Sequence, residues 1–157
     1  MPLSIFVRFN DEQSTDYGHI GDRVKYLPQN LFMPPRMTLD EAFRLYDVEY
    51  GGLVSFDPKF HTFQKKQFRE LSGGEARVAE MFIIIKSPSD FCILDEPFSN
   101  IAPIHVEKMQ SLIREEKANK GIIVSDHLYE AIIQVSDNLF LLRDGYTFPV
   151  RSREDLI

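Results

Sequence analysis

Leu71-Ser72-Gly73-Gly74-Glu75 and Phe91-Cys92-Ile93-Leu94-Asp95-Glu96-Pro97 frame the stretch on which the fold of this chain turns. In the first segment, paired glycines let the backbone approach a ligand closely. A helix opened there points its N-terminal dipole and free N–H groups at an anion. Ser72 is suited to cap that helix, which is predicted to run to about Lys86. The second segment is a short apolar run, the pattern of a strand buried on both faces, and it ends in two carboxylates. Ligands of open α/β sheets bind beyond the carboxyl ends of strands. A carboxylate there can hold Mg²⁺, often through water, while its neighbour polarises an attacking water. Each segment has a plainer reading, a hinge before a capped helix or an ordinary acidic strand end. At the spacing found here the plainer pair is a poor account.

Outward from this frame, Arg23 to Leu27 reads as a short strand that Pro28 stops, leaving Gln29 just past its end. Ile122 to Val124 reads as another buried strand, followed by Ser125-Asp126-His127. Between these strands, Ile104 to Lys117 carries Ile104, Val106, Met109, Leu112 and Ile113 on one face of a helix, with Gly121 just past its C-terminal end. Leu128 to Val135 is predicted helical. Leu139 to Leu142 and Tyr146 to Val150 form a hairpin about Asp144-Gly145. Ser4 to Asn10 alternates like a strand, Asn10 to Gly21 is turn-rich, and Ser152 to Ile157 suits one helical turn. Thr38 and Glu41 make a capping box. The helix after it has Leu39, Ala42, Phe43, Leu45 and Tyr46 as its apolar side and is expected to stop before Gly51-Gly52. Phe56, Phe60, Phe63 and Phe68 read as a local core within loop and helix. An aromatic platform for stacking bases would need a basic groove that the segment lacks.

The composition fits one soluble globular domain of 157 residues. A net charge of −6 argues against a broad nucleic-acid-binding face, and the short run Lys65-Lys66-Gln67-Phe68-Arg69 reads as a solvated helix face. The single cysteine, Cys92, sits in an apolar run and reads as a buried, inert thiol. No apolar stretch reaches membrane-spanning length, and no signal peptide is evident.

The order Gln29, Ser72-Gly73-Gly74, Asp95-Glu96, His127 resembles the ATP-binding cassette (ABC) ATPases, especially the transporter ATPases of lipopolysaccharide export and branched amino-acid uptake. The resemblance runs from about Val24 to the C-terminus. It implies an α/β fold of the P-loop NTPase type with an inserted helical subdomain. Residues 1–33 and 88–157 would be parts of the ATPase core, and 34–87 the helical subdomain. By resemblance, Gln29 is the Q-loop glutamine that reaches Mg²⁺ and the attacking water. Ser72, Gly73, Gly74 and Glu75 are the signature motif, which binds the γ-phosphate of ATP held by the opposite subunit. Asp95 is the Walker B aspartate that holds Mg²⁺, Glu96 the catalytic glutamate and His127 the switch histidine. Phe98 to Pro103 occupies the D-loop. The implied cofactors are ATP and Mg²⁺. The implied partners are a second ABC ATPase subunit, the same or different, and a transmembrane transporter subunit. The expected location is the cytoplasm, with membrane contact only through a partner.

The sequence departs from that pattern at several points. No glycine is followed by lysine, so the phosphate-holding Gly-x-x-x-x-Gly-Lys-Ser/Thr motif is absent. The core is therefore expected to be N-terminally incomplete, with apolar surface exposed, and the isolated chain is expected neither to bind ATP tightly nor to hydrolyse it. Ala102 stands at the family's D-loop aspartate, Val78 at a common basic position and Ile83 at a common arginine. The segment between Gln29 and Leu71 is also shorter than usual. Three other readings stay open. One is a non-catalytic subunit that lends its signature motif to a partner's ATP site. Another is a soluble ABC ATPase of DNA repair or chromosome maintenance. The last is a remnant without function.

Overall fold

The computed structural model describes residues 21–151, together with the backbone of 7–9 and 12–14. The turn-rich residues 10, 11 and 15–20 and the expected helical turn from Ser152 lie outside the described residues, as does the start of the Ser4 to Asn10 strand. Strands β1 (Val7–Phe9) and β2 (Glu12–Ser14) pair antiparallel. The centre is a parallel sheet of β3 (Val24–Leu27), β4 (Phe91–Asp95) and β5 (Gly121–Ser125), in that spatial order. Leu27 lies beside Leu94, Leu94 beside Val124, and Asp95 beside Ser125, so the carboxyl ends of the strands finish level.

Helices α1 (Leu39–Leu45) and α2 (Tyr50–Phe56) precede the long α3 (Gly73–Lys86). After β4 comes α4 (Pro103–Glu116), and after β5 the short α5 (Tyr129–Ile133). The chain continues into the hairpin of β6 (Phe140–Arg143) and β7 (Tyr146–Pro149). Its turn is Asp144-Gly145, both with positive φ, as a tight two-residue hairpin requires.

Helix α3 lies at the middle of the core, with every residue from Ala76 to Ile85 buried. A helix apolar all round must be covered all round, and α3 packs on α1, β3, β4 and α4. Its C-terminal carbonyls are met by a lysine from β5's lead-in: Lys120 Nζ donates to Ile85 O at 3.0 Å and Ser87 O at 2.6 Å. A cation there also suits the helix dipole. Lys86 pairs with Glu116 at 2.6 Å, joining the ends of α3 and α4.

The phenylalanine-rich stretch is core. Phe60 and Phe68 are buried, and Phe56 and Phe63 pack against the core cluster. The Phe43 ring meets the Tyr50 edge at 5.0 Å and stacks on Phe82 at 6.1 Å. Tyr50 Oη donates to Phe60 O at 2.6 Å, and burial pushes its phenol up to about 12. Cys92 is fully buried, which raises its thiol to about 12 and agrees with an inert cysteine.

Several expectations are corrected. Gly51-Gly52 does not follow a helix; it lies inside α2. The break falls earlier, at Asp47 with φ 55°, and Gly52 packs close to the Phe82 ring, where a methyl would sit at 3.1 Å. Leu45, assigned to the apolar side, is 68% exposed. Ile104 of α4 is likewise exposed. Gly121 opens β5 rather than capping α4, and the Phe91 ring stands where a Cβ would come within 2.6 Å. Strands β4 and β5 are not buried on both faces. Cys92 and Leu94 face α3, whereas Ile123 is 60% exposed. Apolar side chains also lie exposed on the hairpin, at Phe140, Leu142, Tyr146 and Phe148. The basic run from Lys65 forms no regular α-helix: Lys65 pairs with Asp40, and the Lys66 ammonium sits 3.7 Å over the Phe63 ring.

Truncating Phe43 to alanine should cost about 3–5 kcal/mol. Leu45→Ala, only two residues away but on the solvent side of the helix, should stay within about 0.5 kcal/mol. Urea unfolding curves with equal slopes check the contrast; equal losses would place α1 differently.

Candidate functional site

The level carboxyl ends of β3, β4 and β5 gather the polar groups. Asp95, the last residue of β4, is held from both neighbouring strands. Tyr26 Oη of β3 donates to its Oδ2 at 3.1 Å, and Ser125 Oγ of β5 donates to its Oδ1 at 2.7 Å. The bond to Asp95 raises the Tyr26 phenol, with burial adding to the rise. Glu96 turns the chain away with φ 45°, a conformation rare for a side-chain-bearing residue. Its amide donates to Ser125 O at 2.7 Å. Gln29 Nε2 donates to Glu96 Oε2 at 2.8 Å, and Ser99 Oγ adds a bond at 3.3 Å. His127 Nδ1 lies 3.8 Å from the same Oε2, and its ring is largely in solvent.

Asp126, just before that histidine, is buried at its side chain and organises two loops. Its Oδ2 accepts from Phe98 N at 3.0 Å and its Oδ1 from Leu128 N at 2.8 Å. So Gln29, the adjacent Asp95 and Glu96, and His127, from three separate stretches of chain, stand together. The donor set fits Mg²⁺. It is all oxygen at the carboxylates, and each Asp95 oxygen accepts one hydrogen bond from a neighbouring strand and keeps a further lone pair. Mg²⁺ takes one or two protein carboxylates and keeps waters and phosphate oxygens. Among the described residues no cage of three or more His, Cys, Asp or Glu side chains forms.

Ser72, Gly73, Gly74 and Glu75 lie at the other end of α3's first turn. Ser72 Oγ accepts from Glu75 N at 3.3 Å, and Glu75 Oε2 accepts from Ser72 N at 2.8 Å, a closed capping box. Lys59 stands 3.6 Å from Glu75. A methyl on Gly74 would come within 3.3 Å of Asn100 O, so α3 runs close against the loop after β4; Gly73 faces open space. Among the described residues no hydrogen bond joins these four to the Asp95 group.

The link is Arg77, one turn into α3. Its guanidinium donates to Pro28 O at 2.6 Å, Asp95 O at 2.8 Å and Glu96 O at 3.0 Å. One turn further on, Glu80 Oε1 accepts from Phe32 N and Met33 N, both at 2.9 Å. Sequence reading passed over Arg77, Glu80, Tyr26 and Ser125. The signal for the first two was present, as charged residues embedded in an otherwise apolar helix. That for Tyr26 and Ser125 was not, because only strand register sets them beside Asp95.

No protein-family model matches the chain. It is 31% identical over 98 residues to the lipopolysaccharide export system ATP-binding protein LptB of Acidithiobacillus ferridurans, covering 62% of this chain and 41% of that protein. It is 25% identical over 157 residues to an uncharacterised ABC transporter ATP-binding protein of Methanocaldococcus jannaschii, covering 92% of this chain and 60% of that one. The chain thus spans about half the length of these curated relatives. Among solved structures, the ATP-binding subunit of an ABC transporter superposes with a TM-score of 0.79 at 18% identity, over 91% of this chain and 66% of its own. A dimeric ATP-binding cassette bound to ADP and phosphate in a post-hydrolysis state matches at 0.71 and 15%, over 94% and 74%. These likenesses establish the fold.

Glu75 gives this region a pH signature. The Ser72 amide donating to its carboxyl holds it below the usual glutamate range; burial opposes, while the Ser72 hydroxyl and Lys59 assist. A carboxylate depressed in the folded state stabilises above its unfolded value, about 4.3. That contribution is lost as pH falls through the lower folded value. The stability gap between the wild type and Glu75→Gln should therefore be full at neutral pH and close in acid. A gap that widens on acidification would refute the cap.

Proposed function

We propose that this chain, which has the ABC ATPase fold and whose relatives are ABC transporter ATP-binding proteins, is the portion of an ATP-binding transport subunit that bears the signature helix and the hydrolytic carboxylates. The observation that carries the reading is the convergence of Gln29, Asp95, Glu96 and His127 at one sheet end. Asp95 and Gln29 would hold Mg²⁺, which when bound neutralises phosphate charge as it develops. Glu96 would take up the proton of the attacking water. Gln29 would orient that water, and His127 would meet the γ-phosphate. Their present bonds keep the carboxylates fixed before any nucleotide arrives, which lowers the reorganisation the reaction needs.

The sequence contains no Gly-x-x-x-x-Gly-Lys-Ser/Thr loop to grip the β- and γ-phosphates. Those phosphates must be held by residues outside this sequence. The chain taken alone therefore neither holds ATP tightly nor turns it over. A second ABC ATPase subunit would face Ser72, Gly73, Gly74 and Glu75 with its own nucleotide. A transmembrane subunit would anchor the assembly at the cytoplasmic side, since no helix among the described residues is long and apolar enough to cross a membrane. With a net charge of −6, nucleic acid is a poor partner.

One observation favours a second reading, a non-catalytic subunit lending only its signature motif. Gly73 opens α3 into free space, so the backbone there is accessible to a nucleotide held by another chain.

Mixing the chain with Mg²⁺ and ATP should give no turnover that Glu96→Gln abolishes; such turnover would overturn the predicted inactivity. Adding a P-loop-bearing ATPase subunit of the lipopolysaccharide-export type separates the two readings. If both sites work, Glu96→Gln and Gly73→Glu each lower the stimulated rate at least about 10-fold. If only the signature motif is lent, Gly73→Glu alone does so.

A further inference from the structure

We infer that Arg77 and Glu80 are positioning residues: through them α3 fixes where Gln29 and Glu96 stand. They are the charged residues inside the buried run of α3, 3% and 0% exposed. Among the described residues neither hydrogen-bonds a side chain. Both bond backbone groups, and those groups belong to the two segments that carry the glutamine and the glutamate.

The first segment is staked at both ends. Arg77 takes the carbonyl of Pro28 and Glu80 the amides of Phe32 and Met33. Between the stakes, Gln29-Asn30-Leu31 projects from the body, with Leu31 exposed. A projecting loop has few contacts of its own and would otherwise sample many conformations. Pinned at either side by one helix, it delivers the Gln29 side chain to Glu96 at 2.8 Å.

The second segment is the turn after β4. The same guanidinium that holds Pro28 O holds Asp95 O and Glu96 O. Glu96 carries its side chain at positive φ, a conformation that persists only where the surroundings enforce it. Arg77's planar fork, with donors at fixed angles, can bind three carbonyls at once; an ammonium cannot reproduce that geometry.

Stability alone is a poor reason for such a pair. Arg77 Nε and Glu80 Oε2 are buried with no hydrogen-bond partner among the described residues. Burial accordingly works against both charges, lowering Arg77 and raising Glu80. Well-packed apolar residues of similar volume are often as stable or more so. What they cannot do is place backbone carbonyls and amides. The pair also lies within two turns of Ser72-Gly73-Gly74, so a displacement at that end of α3 is transmitted to both segments through a rigid, fully packed helix.

Amide hydrogen exchange on the full chain tests the placement without nucleotide. This matters because the role of the placed groups rests on the proposed hydrolytic site, whereas the placement does not. Glu80→Leu should speed exchange at Phe32 and Met33 by about 10-fold or more, the effect of losing a charge-assisted hydrogen bond. Glu80→Gln, which keeps an acceptor oxygen, should stay within about 3-fold of wild type. Arg77→Met should free the Gln29 side-chain amide and the Glu96 amide, and Arg77→Lys should restore part of that protection. In every variant Val78 to Ile85 should exchange as in wild type. Unchanged exchange at Phe32, Met33 and Glu96 would overturn the inference, as would an equal rise across α3 and the sheet. Should Arg77→Met not fold, Arg77→Lys decides alone: local loosening at Gln29 and Glu96 supports the role, and none refutes it. Local loosening in a chain that supports no turnover with any partner would leave the clamp standing and remove the hydrolytic reading.

Discussion

The burial of α3 on all sides is the constraint from which the rest of this structure follows. Ten consecutive buried residues, Ala76 to Ile85, need partners around the whole circumference of a helix. The sheet covers one side through Leu27, Cys92 and Leu94. Phe43 and Phe56, packed on the Phe82 ring, cover another, and α4 a third through Met109, Leu112 and Ile113. A helix so enclosed cannot roll or slide without opening cavities, because protein interiors are packed to crystal density. Its first turn and its two internal charges are therefore fixed in space. Whatever happens at Ser72-Gly73-Gly74 is mechanically part of the same body as the strands that end in Asp95.

The polar site obeys a different rule. Parallel strands in register bring equivalent positions level, so side chains at their carboxyl ends meet without being near in sequence. Asp95 is braced by Tyr26 from one strand and Ser125 from the other. Glu96 then leaves the sheet in a strained turn and meets Gln29 from the loop after β3. Asp95 and Glu96 are thus placed by strand register and backbone geometry.

One face of the sheet and the outer hairpin are less complete. Ile123 and Tyr26 on the sheet, and Phe140, Leu142, Tyr146 and Phe148 on the hairpin, expose apolar groups that a self-sufficient core would cover. The chain covers only 41% and 60% of two curated relatives, and a phosphate-holding loop is among the features this sequence does not contain. An exposed apolar face and an unsupplied phosphate cradle agree with each other. Both fit the proposed reading, in which this chain carries the carboxylates and the glycine-opened helix but not the phosphate grip.

What the sequence determined by itself was local and periodic. The caps at Thr38 and Ser72, the stop at Pro28, the hairpin turn at Asp144-Gly145 and the core character of the phenylalanines follow from short-range chemistry. The order of Gln29, Ser72-Gly73-Gly74, Asp95-Glu96 and His127 pointed to the fold for the same reason, as each needs only its own neighbours. Burial was less legible. An apolar run looks alike whether one face or both are covered, so Ile123 and Leu45 were misplaced. Gly52 and Gly121 were misread because the rings packed on them, Phe82 and Phe91, come from distant segments. The tertiary structure alone decided that Tyr26 and Ser125 brace Asp95, and that Arg77 and Glu80 hold the backbone around Gln29 and Glu96. Those contacts depend on strand register and on a helix lying across the strand ends, and neither is encoded in any single stretch of chain.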